Sequence, residues 1–189
     1  MALKKSYIIG IMSCDPDGVV GKNNSIPWYY HEDLEHFRLH TKNNISIMGY
    51  NTFVSIPDST LSNMTNIVLT KKHKTLIDTK DRNIYIVSSL AHFLNIIDSL
   101  KTKQSIFMIG GAMIADLFLS NNLIDEFILT KIKHKHHGDA RLNLNHFRDW
   151  SCEEYVNKGS NIADNQNFSI LHYKYQTGVS RHQVNLYRD

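Results

Sequence analysis

What most constrains this chain is a recurrence of short, unbroken apolar runs, each followed by a loop or a stretch of helical periodicity. Tyr7–Met12 contains Ile8, Ile9 and Ile11; Ile45–Met48, Asn66–Thr70, Ile84–Val87, Ile106–Ile109 and Phe127–Ile132 repeat the pattern. A strand that is apolar at consecutive positions is covered on both faces, the condition of a parallel strand inside an α/β sheet. Between the runs, His31 to Lys42 reads as a helix, with Glu32 and Asp33 in its first turn and Lys42 near its end, as the helix dipole prefers. Ile45–Met48 is expected to lead through Gly49 into a helix to Ile56. Leu90, Phe93, Leu94 and Ile97 recur at helical spacing over Ser89–Leu100, and Met113, Ile114, Leu117 and Phe118 do so after Gly110-Gly111. The alternation stops near the end of the chain, where Trp150–Tyr155 and Phe168–Tyr175 are strands separated only by a polar loop. The expectation is one α/β domain over residues 1–177, its sheet mostly parallel with an antiparallel edge, and a polar tail over 178–189.

A length of 189 residues suits one such domain, and no internal repeat or linker divides it. The net charge of +3 is too small to argue for nucleic acid, and the one basic cluster, Lys131 to His137, reads as a solvated strand end. Cys14 and Cys152 form no disulfide framework, so a reducing cytoplasmic setting is expected, and each cysteine reads as a small core residue. No apolar run approaches the ~18 residues of a membrane span. Lys4 and Lys5 ahead of Tyr7–Met12 and Cys14 faintly resemble a signal peptide, but a buried first strand accounts for the same residues.

Several familiar chemistries are excluded by absence. No two glycines form G-x-G, and no Walker A loop, H-E-x-x-H, C-x-x-C or G-x-S-x-G occurs. His134 and His136 would share a face on a strand, yet no acidic or thiol ligand completes a metal set, so no metal is expected. The informative stretch is Gly21 to Ser55. Asp33 and Phe37 lie four apart and so share one helix face. A carboxylate beside an aromatic ring is partly desolvated, which raises its pKa and suits proton chemistry; equally, an acid there stabilises a helix start.

Taken in order, Gly21…Pro27-Trp28…Asp33-Leu34…Phe37, Met48-Gly49…Thr52…Ser55-Ile56, Ile109-Gly110-Gly111-Ala112, Leu129-Thr130 and Gly138-Asp139 resemble the dihydrofolate reductase family from Ile8 to about Tyr175. The resemblance implies an eight-stranded, mostly parallel sheet flanked by helices, with an antiparallel C-terminal edge strand. It also implies a cytoplasmic monomer that binds neither nucleic acid nor membrane and reduces dihydrofolate with NADPH. By the same resemblance Asp33 holds the amino-pyrimidine edge of the pterin, with Thr130 and Trp28 completing the catalytic set. Ile11, Ile26, Phe37, Arg38, Ile56 and Ile109 are the implied substrate contacts. Gly21, Asn24, Gly49, Tyr50, Thr52, Thr70, Lys71, Gly110, Gly111, Ala112 and Met113 are the implied cofactor contacts. The loop Cys14–Trp28 is the implied lid, docked on the segment around Gly138-Asp139.

Four positions depart from the family pattern. Tyr50 and Met113 stand where arginines usually meet the cofactor phosphates, leaving Lys71 or Lys72 as the cations near the 2′-phosphate. Met64 replaces the arginine that clamps the glutamate tail of folate, leaving Arg38 as the nearest substitute. Ala115 replaces a tyrosine. A catalytic set kept beside a thinned anchoring set leaves two other readings open. One is a reductase of a tail-less pterin or a riboflavin-pathway pyrimidine; the other is a non-catalytic binding relative.

Overall fold

A computed structural model describes residues 6–71, 83–100, 103–154 and 165–175 of the chain. The expected tail over 178–189, Lys72 and Tyr155 lie outside the described residues. In chain order the elements are β1 (Ile8–Cys14), β2 (Val19–Gly21), α1 (His31–Thr41), β3 (Ile45–Gly49), α2 (Tyr50–Ser55), α3 (Asp58–Leu61), β4 (Thr65–Leu69) and β5 (Ile84–Val87). They continue with α4 (Leu90–Leu100), β6 (Ile106–Gly110), α5 (Ala112–Ser120), β7 (Glu126–Ile132), β8 (Ala140–Arg141), β9 (Trp150–Glu154) and β10 (Phe168–Tyr175).

Eight strands form one sheet in the order β5-β4-β3-β6-β1-β7-β10-β9, and β2 pairs with β8 in a separate ribbon. Every pairing from β5 to β7 is parallel. The C-terminal strand β10 runs antiparallel to both its neighbours, and it sits one place in from the edge, which β9 occupies. The apolar runs are central because their residues are buried on both faces by alternation. Ile8 and Cys14 of β1 join Ile47, Met108 and Leu129 against Phe93 of α4 and Phe118 of α5. Ile11 of β1 joins Met48, Val68, Ile109 and Ile128 on the opposite face, where Phe53 of α2 and the half-buried Trp28, Tyr30 and Phe37 cover it.

Helix α1 meets this second face partly through histidine. His36 is buried, its ring lies 4.4 Å from that of His40, and His40 in turn sets its ring edge-on to Phe107. Burial, then the neighbouring His40, pushes the His36 pKa down to about 4 from its ordinary value near 6.5. The unfolded chain therefore takes up a proton below pH 6.5 that the folded chain refuses until about pH 4. The stability gained from a neutral His36 is complete above pH 6.5 and lost through that window, amounting to about 3 kcal/mol at its lower end. Urea denaturation at pH 7 and pH 4 should show a smaller loss for His36→Phe than for the parent, and equal losses would overturn the assignment.

Candidate active site

The parallel strands all end at one edge of the sheet, and the order changes direction around β6 and β1, the place where open α/β sheets open a crevice for ligands. From this edge β1 leads to the loop before α1, β3 into α2, β4 to Thr70 and Lys71, and β6 through Gly110-Gly111 into α5.

Asp33 lies in the first turn of α1 beside Ser13 of β1 and Thr130 of β7. Burial raises its pKa above the usual carboxylate value, and hydrogen bonds from the hydroxyls of Thr130 and Ser13 partly oppose that rise. The family resemblance implies the pairing of Asp33 with Thr130; the contact with Ser13 is additional. Ile11 and Ile109 line the same sheet face and are buried, and Phe37 and Ile56 pack partly against it. Trp28 sets its ring 5.0 Å from that of His136, and its Nε1 is buried with no hydrogen-bond partner among the described residues. Ile26 and Arg38 are exposed. Met64 is closed into the core, where the Ser46 hydroxyl donates to its sulfur at 3.0 Å.

A second group of expected residues gathers around the turn after β6. Gly110 has φ +108°, and the peptide bond between it and Gly111 is cis. A Cβ on Gly111 would lie 3.1 Å from the Thr52 hydroxyl oxygen, so the two segments meet with room for backbone only. Ala112 begins α5, and Gly49 precedes α2 with Tyr50 as its first residue. Thr70 is buried, Lys71 is exposed, and Met113 is 86% exposed.

The loop between β1 and α1 is tied at both ends. Asp15, fully buried, accepts hydrogen bonds from the backbone N–H of Asp17, Val19 and His136 at 2.9, 2.8 and 2.8 Å. Farther out, Lys22 and Ser25 exchange backbone hydrogen bonds across Asn23 and Asn24, both at positive φ, which is the two-residue hairpin turn that asparagine tolerates. The Asn23 N–H donates to the Asp139 carboxylate, and the Asp139 N–H to the Gly21 carbonyl, each at 3.0 Å. Gly138 is required by close approach, since a Cβ there would fall 2.5 Å from the Gly21 carbonyl oxygen. The segment expected as plain loop therefore contains the strand β2, paired with β8, and beyond it a tight hairpin turn that carries Asn24.

Other expectations are corrected by the placement of the residues. Strand β7 ends at Ile132, so His134 and His136 lie in the loop beyond it, and His136 Nδ1 contacts the His134 carbonyl. Cys152 is exposed on the edge strand β9, whereas Cys14 is buried and its thiol is pushed up to about 12, mainly by desolvation. No described helix is long and apolar enough to cross a membrane.

A family model described as dihydrofolate reductase matches residues 7–175. The dihydrofolate reductase of Ureaplasma parvum is 34% identical over 130 residues, 69% of this chain and 78% of that protein. That of Bacillus subtilis is 35% identical over 130 residues, covering 68% and 71% of the two chains. That of Staphylococcus haemolyticus is 31% identical over 159 residues, covering 83% and 87%.

Proposed function

The chain belongs to the dihydrofolate reductase family and reduces dihydrofolate to tetrahydrofolate, and from that premise we propose how its own residues divide the work. What carries the assignment is Asp33, a carboxylate held by two hydroxyls beside the apolar cluster of that sheet face. Asp33 receives the amino-pyrimidine edge of the pterin, and burial, which raises its pKa above the usual carboxylate value, favours proton exchange with the substrate. Thr130 orients it, and Trp28, whose buried N–H has no partner among the described residues, holds a water against the substrate. Ile11, Phe37, Ile56 and Ile109 form the slot that excludes bulk water from the ring, with the exposed Ile26 at its mouth.

NADPH is the cofactor proposed, and its reduced nicotinamide supplies the hydride when bound. The residues fit such a group: Gly110-Gly111 forms a cradle that a side chain would fill, Thr52 puts a hydroxyl beside it, and α5 begins at Ala112. Gly21, Asn24, Gly49, Tyr50, Thr70 and Met113 surround the remainder, and Lys71 supplies the charge for a 2′-phosphate that Tyr50 and Met113 cannot. Arg38 meets the glutamate tail, because Met64 is closed into the core. The same burial favours a second reading, in which a tail-less dihydropterin is reduced nearly as well.

Loss of reduced-nicotinamide absorbance tests these assignments. Dihydrofolate should turn over with NADPH about tenfold more efficiently than with NADH, and Lys71→Ala should narrow that ratio through the NADPH KM. No turnover with either cofactor would refute the assignment, and an unchanged ratio would remove Lys71 from it. A tail-less dihydropterin matching dihydrofolate would release Arg38.

A further inference from the structure

We infer that Ser13 is a second positioning residue for Asp33, gripping its carboxylate jointly with Thr130 from the sheet side; the inference rests on the placement of Asp33 at the substrate. Ser13 and Thr130 are direct partners in the parallel register of β1 and β7. One step back along the same face, Ile11 is paired with Ile128, and both are buried. On this face an apolar pair, Ile11 with Ile128, is thus followed at the next step of the pleat by a pair of hydroxyls, before β7 returns to the buried Ile132. Adjacent parallel strands lie about 4.8 Å apart, a spacing that sets two hydroxyls side by side below a single carboxylate.

The stoichiometry favours a shared grip. An ionised carboxylate offers about four acceptor positions. Two are occupied by Ser13 and Thr130, which leaves two for a planar donor edge arriving from the opposite side. With Thr130 alone the group could rotate about its terminal bond, whereas a second donor removes that freedom before substrate binds, the pre-organisation that fixed geometry supplies. Burial and these two hydroxyls are the influences that act on Asp33, and its neighbour on α1, His36, is held neutral by burial. Ser13 does not touch the reacting atoms in this scheme; it acts through Asp33.

Carbon-13 NMR of labelled Asp carboxyls, with the Asp33 resonance assigned by Asp33→Asn, reads the contact without requiring turnover. Ser13→Ala keeps the small side chain and removes the donor. Its Asp33 titration midpoint should rise by about half a unit to one unit, Thr130→Val should move it the same way, and the double variant should exceed either. Ser13→Thr, which restores a hydroxyl, should return the midpoint toward the parent's. A Ser13→Ala midpoint superimposed on the parent's, or a rise that Ser13→Thr fails to reverse, would overturn the proposal. Turnover is measured alongside: a parent that does not reduce dihydrofolate refutes the functional reading, while the midpoints still decide whether Ser13 holds Asp33.

Discussion

Replacing Asp33 by Asn should lower kcat/KM for dihydrofolate by about two to three orders of magnitude while making the protein more stable. The two effects have one cause. Asp33 is raised above the usual carboxylate value by desolvation, so in the folded protein its ionised form is disfavoured relative to the unfolded chain. A carboxyl of that kind contributes stability when protonated and withdraws it as pH rises through its unfolded value toward its folded one. At pH 7 the native protein carries that penalty, and an uncharged amide removes it while its oxygen still accepts from Thr130 and Ser13. The amide cannot accept two hydrogen bonds from the pterin edge or exchange a proton with it, and general acid–base groups of this kind are worth about 10²–10⁴-fold. The melting temperature should rise by about 2–4 °C for each 1 kcal/mol relieved. The rate deficit should shrink at acid pH, where solvent protonates the ring more readily. Near-parental kcat/KM at neutral pH would remove Asp33 from the chemistry; a fall in melting temperature would show that its charge is compensated in the folded state.

Asp15→Ala is the second change with a large expected effect, and it acts on the scaffold. One buried carboxylate satisfies three backbone N–H groups, two at the start of the lid and one at His136 in the facing segment. Removing it leaves those donors without acceptors in a closed site, at about 1–3 kcal/mol for a buried donor and less for the partly exposed ones. A total loss of about 4 kcal/mol is expected in urea denaturation. Hydrogen exchange should quicken at Val19 and His136 more than at the central strands. Asp15→Asn should fall between, because its amide retains one acceptor oxygen and turns a donor toward an N–H. A loss under about 1 kcal/mol, or no local quickening, would mean that the loop is held elsewhere, for instance by the ribbon of β2 and β8.

The strands of the main sheet are legible in the sequence because burial on both faces leaves an unbroken apolar run. The C-terminal pair is legible because no helical period separates its members. What escapes notice is short or polar. Strands β2 and β8 hold three and two residues and contain no apolar alternation long enough to register. Helix α3 is a single turn after Pro57. The Asp15-Pro16-Asp17-Gly18 turn announces a chain reversal, but no local pattern says that the first aspartate will face a backbone amide far along the chain at His136. Ser13 does leave a trace. It breaks the alternation Ile9, Ile11 on one face of β1, as Thr130 breaks Ile128 and Ile132 on β7, and only the register between the strands turns those two breaks into one feature. Cys152 misleads because an edge strand buries less than its composition suggests.

The central position of β1 has a consequence for how the chain is made. Ile8 pairs with Ile106 and Ile9 with Glu126, so β1 leaves the ribosome roughly a hundred residues ahead of the strands it pairs with. Closing such long segments into parallel pairs is slow, because the chain entropy is lost before the contacts form. Throughout that interval Tyr7–Met12 is an apolar strand without its partners, a segment open to capture by a chaperone or by a neighbouring chain.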